Sequence, residues 1–194
     1  MFISNKNLGS TKARLLGTSA LMLGILLPST LSSLPANAVE LGENKTFFDR
    51  SPRLTRVATS TTTANIPATY QFTISLPEDA GEPLQAVTIN QQENLENIKF
   101  DLNQSSAFIG NSFAGGPAIS LANVGGSQSS DGNEVTVMFD EPVLPGSEVT
   151  VSLRAKRNPQ AGGVYLFGVT AFSIGDNSPG LYLGSRDLHL GDSD

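Results

Sequence analysis

The single histidine, His189, lies two residues from Asp187, a spacing that puts both side chains on one face of a strand. An imidazole oriented by a carboxylate is the base half of a Ser-His-Asp hydrolase. The nucleophile's usual setting is missing, because no Gly-x-Ser-x-Gly elbow occurs. Carboxylates gather at Glu78, Asp79 and Glu82, at Glu93 and Glu96, and at Asp140 and Glu141. Two of them facing each other at about 5–10 Å would suit glycoside hydrolysis, whereas carboxylates in turn-rich segments are ordinarily solvated charge. Asp131-Gly132-Asn133-Glu134, within loop 127–134, offers hard oxygen ligands to calcium, although Asp-Gly is first a turn signal. A hydrolase using His189 or a carboxylate pair, and a calcium-stabilised matrix protein, are the alternatives to a non-catalytic reading.

Arg154-Ala155-Lys156-Arg157-Asn158-Pro159 is the one basic cluster in an acidic chain. It sits where a strand ends and the Gly162-Gly163 turn begins. Arg154, Lys156, Arg157 and Asn158, with Tyr165 beyond the turn, are the candidate binding residues, and they suit an acidic glycan or a carboxylate on a protein partner. Arg157 and Asn158 are also suited to bonding loop carbonyls and holding the turn. Without tryptophan, stacking on a sugar would fall to Tyr70, Tyr165 and Tyr182. The pattern assigns no catalytic residue, no metal ligand and no cofactor.

Composition narrows the field further. The 194 residues include no cysteine and carry a formal charge of −6. That excludes a disulfide, a thiolate nucleophile, a cysteine zinc site and a lipoprotein anchor. One histidine excludes a site built from two or three imidazoles of one chain. An acidic balance argues against nucleic acid, since neutralising phosphates needs a basic face.

Residues 1–38 read as an export label. Lys6, Lys12 and Arg14 form an acid-free positive region, Leu15 to Leu27 is almost wholly apolar, and Ala36-Asn37-Ala38 supplies the small residues of a cleavage site. Cleavage is expected between Ala38 and Val39, by the general secretory route. The apolar stretch is short beside the roughly 20 residues a spanning helix needs, and no later run approaches that length, so the mature chain is not expected to span a membrane. Removing three bases and no acid leaves residues 39–194 with a charge of −9. That length suits one domain with a core able to stand without cross-links. Export without cysteine is ordinary for bacterial proteins, so the expected address is the periplasm, cell surface or medium.

The elements that must position these residues have a period of two. Tyr70, Phe72, Ile74 and Leu76 share one face; Val87 and Ile89, then Ile98, Phe100 and Leu102, repeat the pattern. So do Val135, Val137 and Phe139, then Val149, Val151 and Leu153. The Pro142 to Gly146 connection reads the last two as neighbouring antiparallel strands. Val164 to Phe172 is almost continuously apolar, which suits a central strand covered on both faces. Phe47-Phe48 and Leu54 would seed a first strand, and 59–65 an exposed loop. No window of eleven residues in the mature chain has a helical face. The expectation is an all-β, antiparallel two-sheet sandwich, with immunoglobulin-like topology as the guess for strand order.

The segments 77–85, 97–102, 139–146, 157–159 and above all Gly162-Gly163-Val164-Tyr165-Leu166-Phe167-Gly168-Val169-Thr170-Ala171-Phe172 resemble a family of exported cyanobacterial proteins classed as a domain of unknown function. The resemblance covers about residues 46–190. It implies a signal-bearing, exported single domain and no assigned catalytic residue. Together these features predict a non-enzymatic binding or structural component of the bacterial envelope or extracellular matrix, partnered by an envelope protein or a polysaccharide.

Overall fold

The computed structural model describes residues 46–125, 133–175 and 178–191. The expected signal segment and most of loop 127–134, including Asp131, lie outside the described residues. Ten strands form: β1 Arg53–Thr59, β2 Ala68–Ser75, β3 Leu84–Gln91, β4 Phe100–Ile109, β5 Ala118–Ile119, β6 Leu121–Gly125, β7 Glu134–Val143, β8 Glu148–Ala155, β9 Gly163–Ser173 and β10 Leu181–Leu190. They build two antiparallel five-stranded sheets, ordered β1-β2-β8-β4-β5 and β10-β9-β3-β7-β6. The chain is all-β among the described residues, as the alternation requires.

The alternating apolar residues face inward from both sheets. Tyr70, Phe72 and Ile74 of β2, Val149, Val151 and Leu153 of β8, Val135, Val137 and Phe139 of β7, and Tyr165, Phe167 and Val169 of β9 all belong to one core. Rings bridge the two layers. Phe167 meets Phe72 at 5.5 Å and Tyr70 at 5.7 Å, and Tyr70 meets Phe100 edge-on at 5.6 Å. Such tilted and edge-to-face arrangements suit the ring quadrupoles.

Three local expectations are corrected. First, β7 and β8 are not paired: β7 lies between β3 and β6, β8 between β2 and β4. Their connection crosses from one sheet to the other because its turn is tied to the end of β2. Leu76 N–H donates to Ser147 O at 2.8 Å, and Gly146 N–H donates to Leu76 O at 3.0 Å. Gly146 has a φ of 81° there, a left-handed conformation that favours glycine.

Second, β9 is paired on both edges, by β10 and β3, but its outer face is only partly covered. Val164 is 51% exposed on the outer face. Gly168 on that face lies under the Tyr182 ring, which comes within 2.9 Å of where a Cβ would stand. The apolar run is continuous because one side chain in two fills the core and its neighbours make a half-dry outer face. Third, Phe47 and Phe48 lie outside any strand, and Phe47 is exposed. The first strand starts at Arg53, just after Pro52.

Candidate functional site

Three connections meet at one end of the sandwich: 60–67 between β1 and β2, 92–99 between β3 and β4, and 156–162 between β8 and β9. Backbone bonds tie them together. Lys156 N–H donates to Lys99 O at 2.9 Å, and Asn158 N–H donates to Ile66 O at 2.8 Å. The Glu96 carboxylate accepts the N–H groups of Gln160 and Ala161 at 2.9 and 2.8 Å. A charged acceptor on two backbone donors is a strong clamp.

Asn158 is the centre of this end, with 0% of its surface exposed. Its Nδ2 donates to Thr61 O at 3.0 Å and Thr63 O at 2.8 Å, while its Oδ1 accepts the Tyr70 hydroxyl at 2.6 Å. Its own carbonyl accepts Asn65 N–H at 3.3 Å. Asn65 has a φ of 58°, a left-handed turn that asparagine tolerates. Tyr165 is equally interior. Its ring is in the core and its hydroxyl donates to Ala161 O at 2.8 Å. Both residues hold the turn from within rather than facing outside.

The cations of the cluster do reach the surface. Lys156 and Arg157, both exposed, line a cleft of about 220 Å³ with Lys99, Glu96, Asn97 and Pro159. None of Lys99, Lys156 and Arg157 has a carboxylate within ion-pairing distance among the described residues. Lys99 was not singled out from the sequence. The Ile98-Lys99-Phe100 alternation marks it as outward, but only the pairing of β4 with β8 brings it to Lys156.

Arg154 takes a different position. Successive strand residues face opposite sides: Val151, Leu153 and Ala155 enter the core while Thr150, Ser152 and Arg154 face out. Arg154 Nη1 donates to Thr69 Oγ1 at 3.2 Å. It edges a trough of about 410 Å³ on the outer face of the first sheet, with Gln71, Gln104, Ser106, Phe113 and Ser152. The floor is fixed by internal bonds: Gln71 Nε2 donates to Ser152 Oγ at 3.1 Å and to Phe113 O at 3.2 Å. The 110–117 loop, held also by the Thr150 hydroxyl on Gly110 O at 2.6 Å, forms the far wall.

The residues of the alternative chemistries are more dispersed. His189 and Asp187 bond at 3.1 Å on the outer side of the edge strand β10, both exposed. Asp140 and Glu141 are consecutive in β7, on the rim of a cleft of about 500 Å³ at the opposite end of the sandwich. No group of three or more His, Cys, Asp or Glu residues is placed to hold a metal among the described residues. No helix there is long and apolar enough to cross a membrane.

Burial pushes the Tyr70 phenol above the ordinary tyrosine range, and neighbouring Tyr165 adds to the rise. A folded chain then keeps a proton that the unfolded chain releases near pH 10. Stability therefore falls as pH rises beyond that point. The urea midpoint is expected to drop between pH 8 and pH 11, and to drop less in Tyr70→Phe. Equal drops in the two proteins would refute the assignment.

Residues 45–190 match the sequence profile of a family described as protein of unknown function (DUF2808). No curated protein matches the chain. Among solved structures, the bacterial hydrophobin BslA is 15% identical, with 73% of this chain and 99% of that one covered and a TM-score of 0.43. The collagen-binding domain from a Staphylococcus aureus adhesin is 8% identical, covering 66% and 89% with a TM-score of 0.36. An uncharacterized Nocardia farcinica protein with an immunoglobulin-like fold is 13% identical, covering 69% and 96% with a TM-score of 0.40.

Proposed function

The chain belongs to the DUF2808 family of proteins of unknown function, and from that premise we propose that it is an exported, non-catalytic binding module of the bacterial envelope or matrix. Its ligand is an anionic polymer gripped at the basic end of the sandwich. One observation carries this reading: Lys99, Lys156 and Arg157 converge on a single cleft without carboxylate partners among the described residues, in a chain of net charge −6. Such cations ordinarily scatter among acids. The acid that lines the cleft, Glu96, directs one carboxylate oxygen, Oε1, at the backbone N–H groups of Gln160 and Ala161. Asn158 and Tyr165 position the turn that presents the cations, and the export label at residues 1–38 supports the address.

The test is retention of the purified exported protein on immobilised inorganic polyphosphate at low salt. Its first residue is expected to be Val39. Lys156→Ala/Arg157→Ala should lose at least tenfold in affinity with an unchanged melting temperature. The affinity of the native chain should fall with salt, as screening requires. No retention, or equal retention of the double variant, would overturn the reading.

A further inference from the structure

The basic cleft and the Arg154 trough are adjacent. Arg154 and Lys156 are two residues apart on one strand path, about 7 Å at strand rise. Ser152, on the trough floor, is four residues from Lys156, which follows the end of β8, so the trough on the outer face leads toward the basic end of the sandwich. The chemistry changes along this line. At one end stand Lys99, Lys156 and Arg157; Arg154 follows, then the amide and hydroxyl of Gln104 and Ser106, and last the ring of Phe113, 39% exposed.

We propose that this is one extended site and that its occupant is a glycan carrying carboxylates, of the uronic-acid type. The proposal rests on the reading of the basic cleft as a binding site, and it names the ligand class. Three features select a glycan over a peptide. The trough half of the site opens on the outer face of the first sheet, floored by side chains of the paired strands β2 and β8, whereas extended peptides are captured along unpaired sheet edges. The exposed groups are an amide and hydroxyls, which pair with sugar hydroxyls, and a ring that offers a stacking surface. Arg154 spends one donor on Thr69 and so is aimed, with the rest of its planar fork free for a carboxylate.

The acids on this face keep their charge but are held by neutral local donors rather than paired with the cations of the site. Asp101, opposite Arg154 in the register, accepts from Gln104 Nε2 at 2.8 Å and from Asn103 N–H at 3.2 Å, and Glu96 is clamped as described. Because the floor is already held by the Gln71 bonds to Ser152 and Phe113, the trough is preformed and a ligand would not have to order it.

The experiment compares three probes by calorimetry on the exported protein: polygalacturonate, its fully methyl-esterified form, and inorganic polyphosphate. Polygalacturonate should bind, and esterification should cost at least tenfold by removing the carboxylates. Gln104→Ala/Phe113→Ala, two exposed positions, should lower polygalacturonate affinity at least fivefold, leave polyphosphate affinity unchanged, and keep the melting temperature. Arg154→Gln should likewise weaken polygalacturonate more than polyphosphate. If both polyanions bind and the trough variants weaken neither, the extended glycan site is wrong while the basic cleft stands as a binding site. Equal binding of the esterified polymer also overturns the inference. If polyphosphate does not bind, the proposed function itself fails, and this inference with it.

Discussion

Replacing Phe167 by alanine is expected to destabilise the domain by about 4 kcal/mol, the range for deleting a fully buried aromatic side chain. For a domain of this size that corresponds to a fall in melting temperature of about 8–16 °C. The reason is the position of the ring. It projects from β9 in the second sheet and meets Phe72 and Tyr70 of β2 in the first, at 5.5 and 5.7 Å. Tyr70 in turn meets Phe100 of β4. These rings pin the two layers together at the end of the core that lies beneath the basic turn. Removing Phe167 leaves a cavity that strands paired on both edges cannot close, so both the transfer term and the void are felt. Phe167→Leu, which refills most of the space, should cost less than half as much. Phe113→Ala, on the exposed loop, should stay within about 0.5 kcal/mol. Urea unfolding of the three variants measures this; a Phe167→Ala unfolding free energy within about 1 kcal/mol of the native chain's would mean that the layers are held elsewhere.

Tyr70, Phe72 and Phe100 were legible in the sequence as core, because alternation reports which face a side chain takes, whereas Phe167 sits in the almost continuous Val164 to Phe172 run, which singles out no face. Tyr70, Phe72 and Ile74, or Val149, Val151 and Leu153, need no partner strand to be recognised as inward. What alternation does not carry is which strand lies beside which. The Pro142 to Gly146 connection looks like a hairpin because turn residues are alike whether the chain folds back beside itself or crosses to the other layer. The choice is made by Leu76, far away in sequence, whose backbone holds Gly146 and Ser147. Half of the candidate site was visible for the same reason. Lys156 and Arg157 stand out as a basic run, but Lys99 joins them only through the pairing of β4 with β8. Gln104 and Phe113 enter through an irregularity: the register between Asp101 and Ser106 shifts against β8, and the 110–117 loop folds over the sheet. Tyr182 covering Gly168 is likewise a tertiary event, so the Val164 to Phe172 run overstates how much of β9 is dry.

Asn158→Ala should cost about 3–4 kcal/mol. The sequence offers Asn158 both as a ligand contact and as a residue that bonds loop carbonyls to hold the turn. In the structure it is buried, and its side chain makes three hydrogen bonds: from Tyr70, and to the Thr61 and Thr63 carbonyls. Each such bond is worth about 1 kcal/mol net, and stranding the buried Tyr70 hydroxyl adds about 1–3 kcal/mol. The Thr61 and Thr63 carbonyls are near enough to the surface to recover water, which keeps the total below the sum of three fully buried losses. Tyr70→Phe should cost less, about 1–2 kcal/mol, because only one bond is lost and the ring still fills the core. In the double variant the costs should not add, since both substitutions delete the same Tyr70–Asn158 bond; a coupling of at least about 0.5 kcal/mol is expected for residues in direct contact. The same substitution frees the 60–67 loop and the turn that carries Lys156 and Arg157. Polyphosphate affinity should therefore fall in Asn158→Ala even under conditions where circular dichroism shows the sheets intact, although Asn158 itself never meets solvent. Additive energies in the cycle, or full polyphosphate affinity in a folded Asn158→Ala protein, would show that the turn is organised without it and that the basic cleft does not depend on this buried amide.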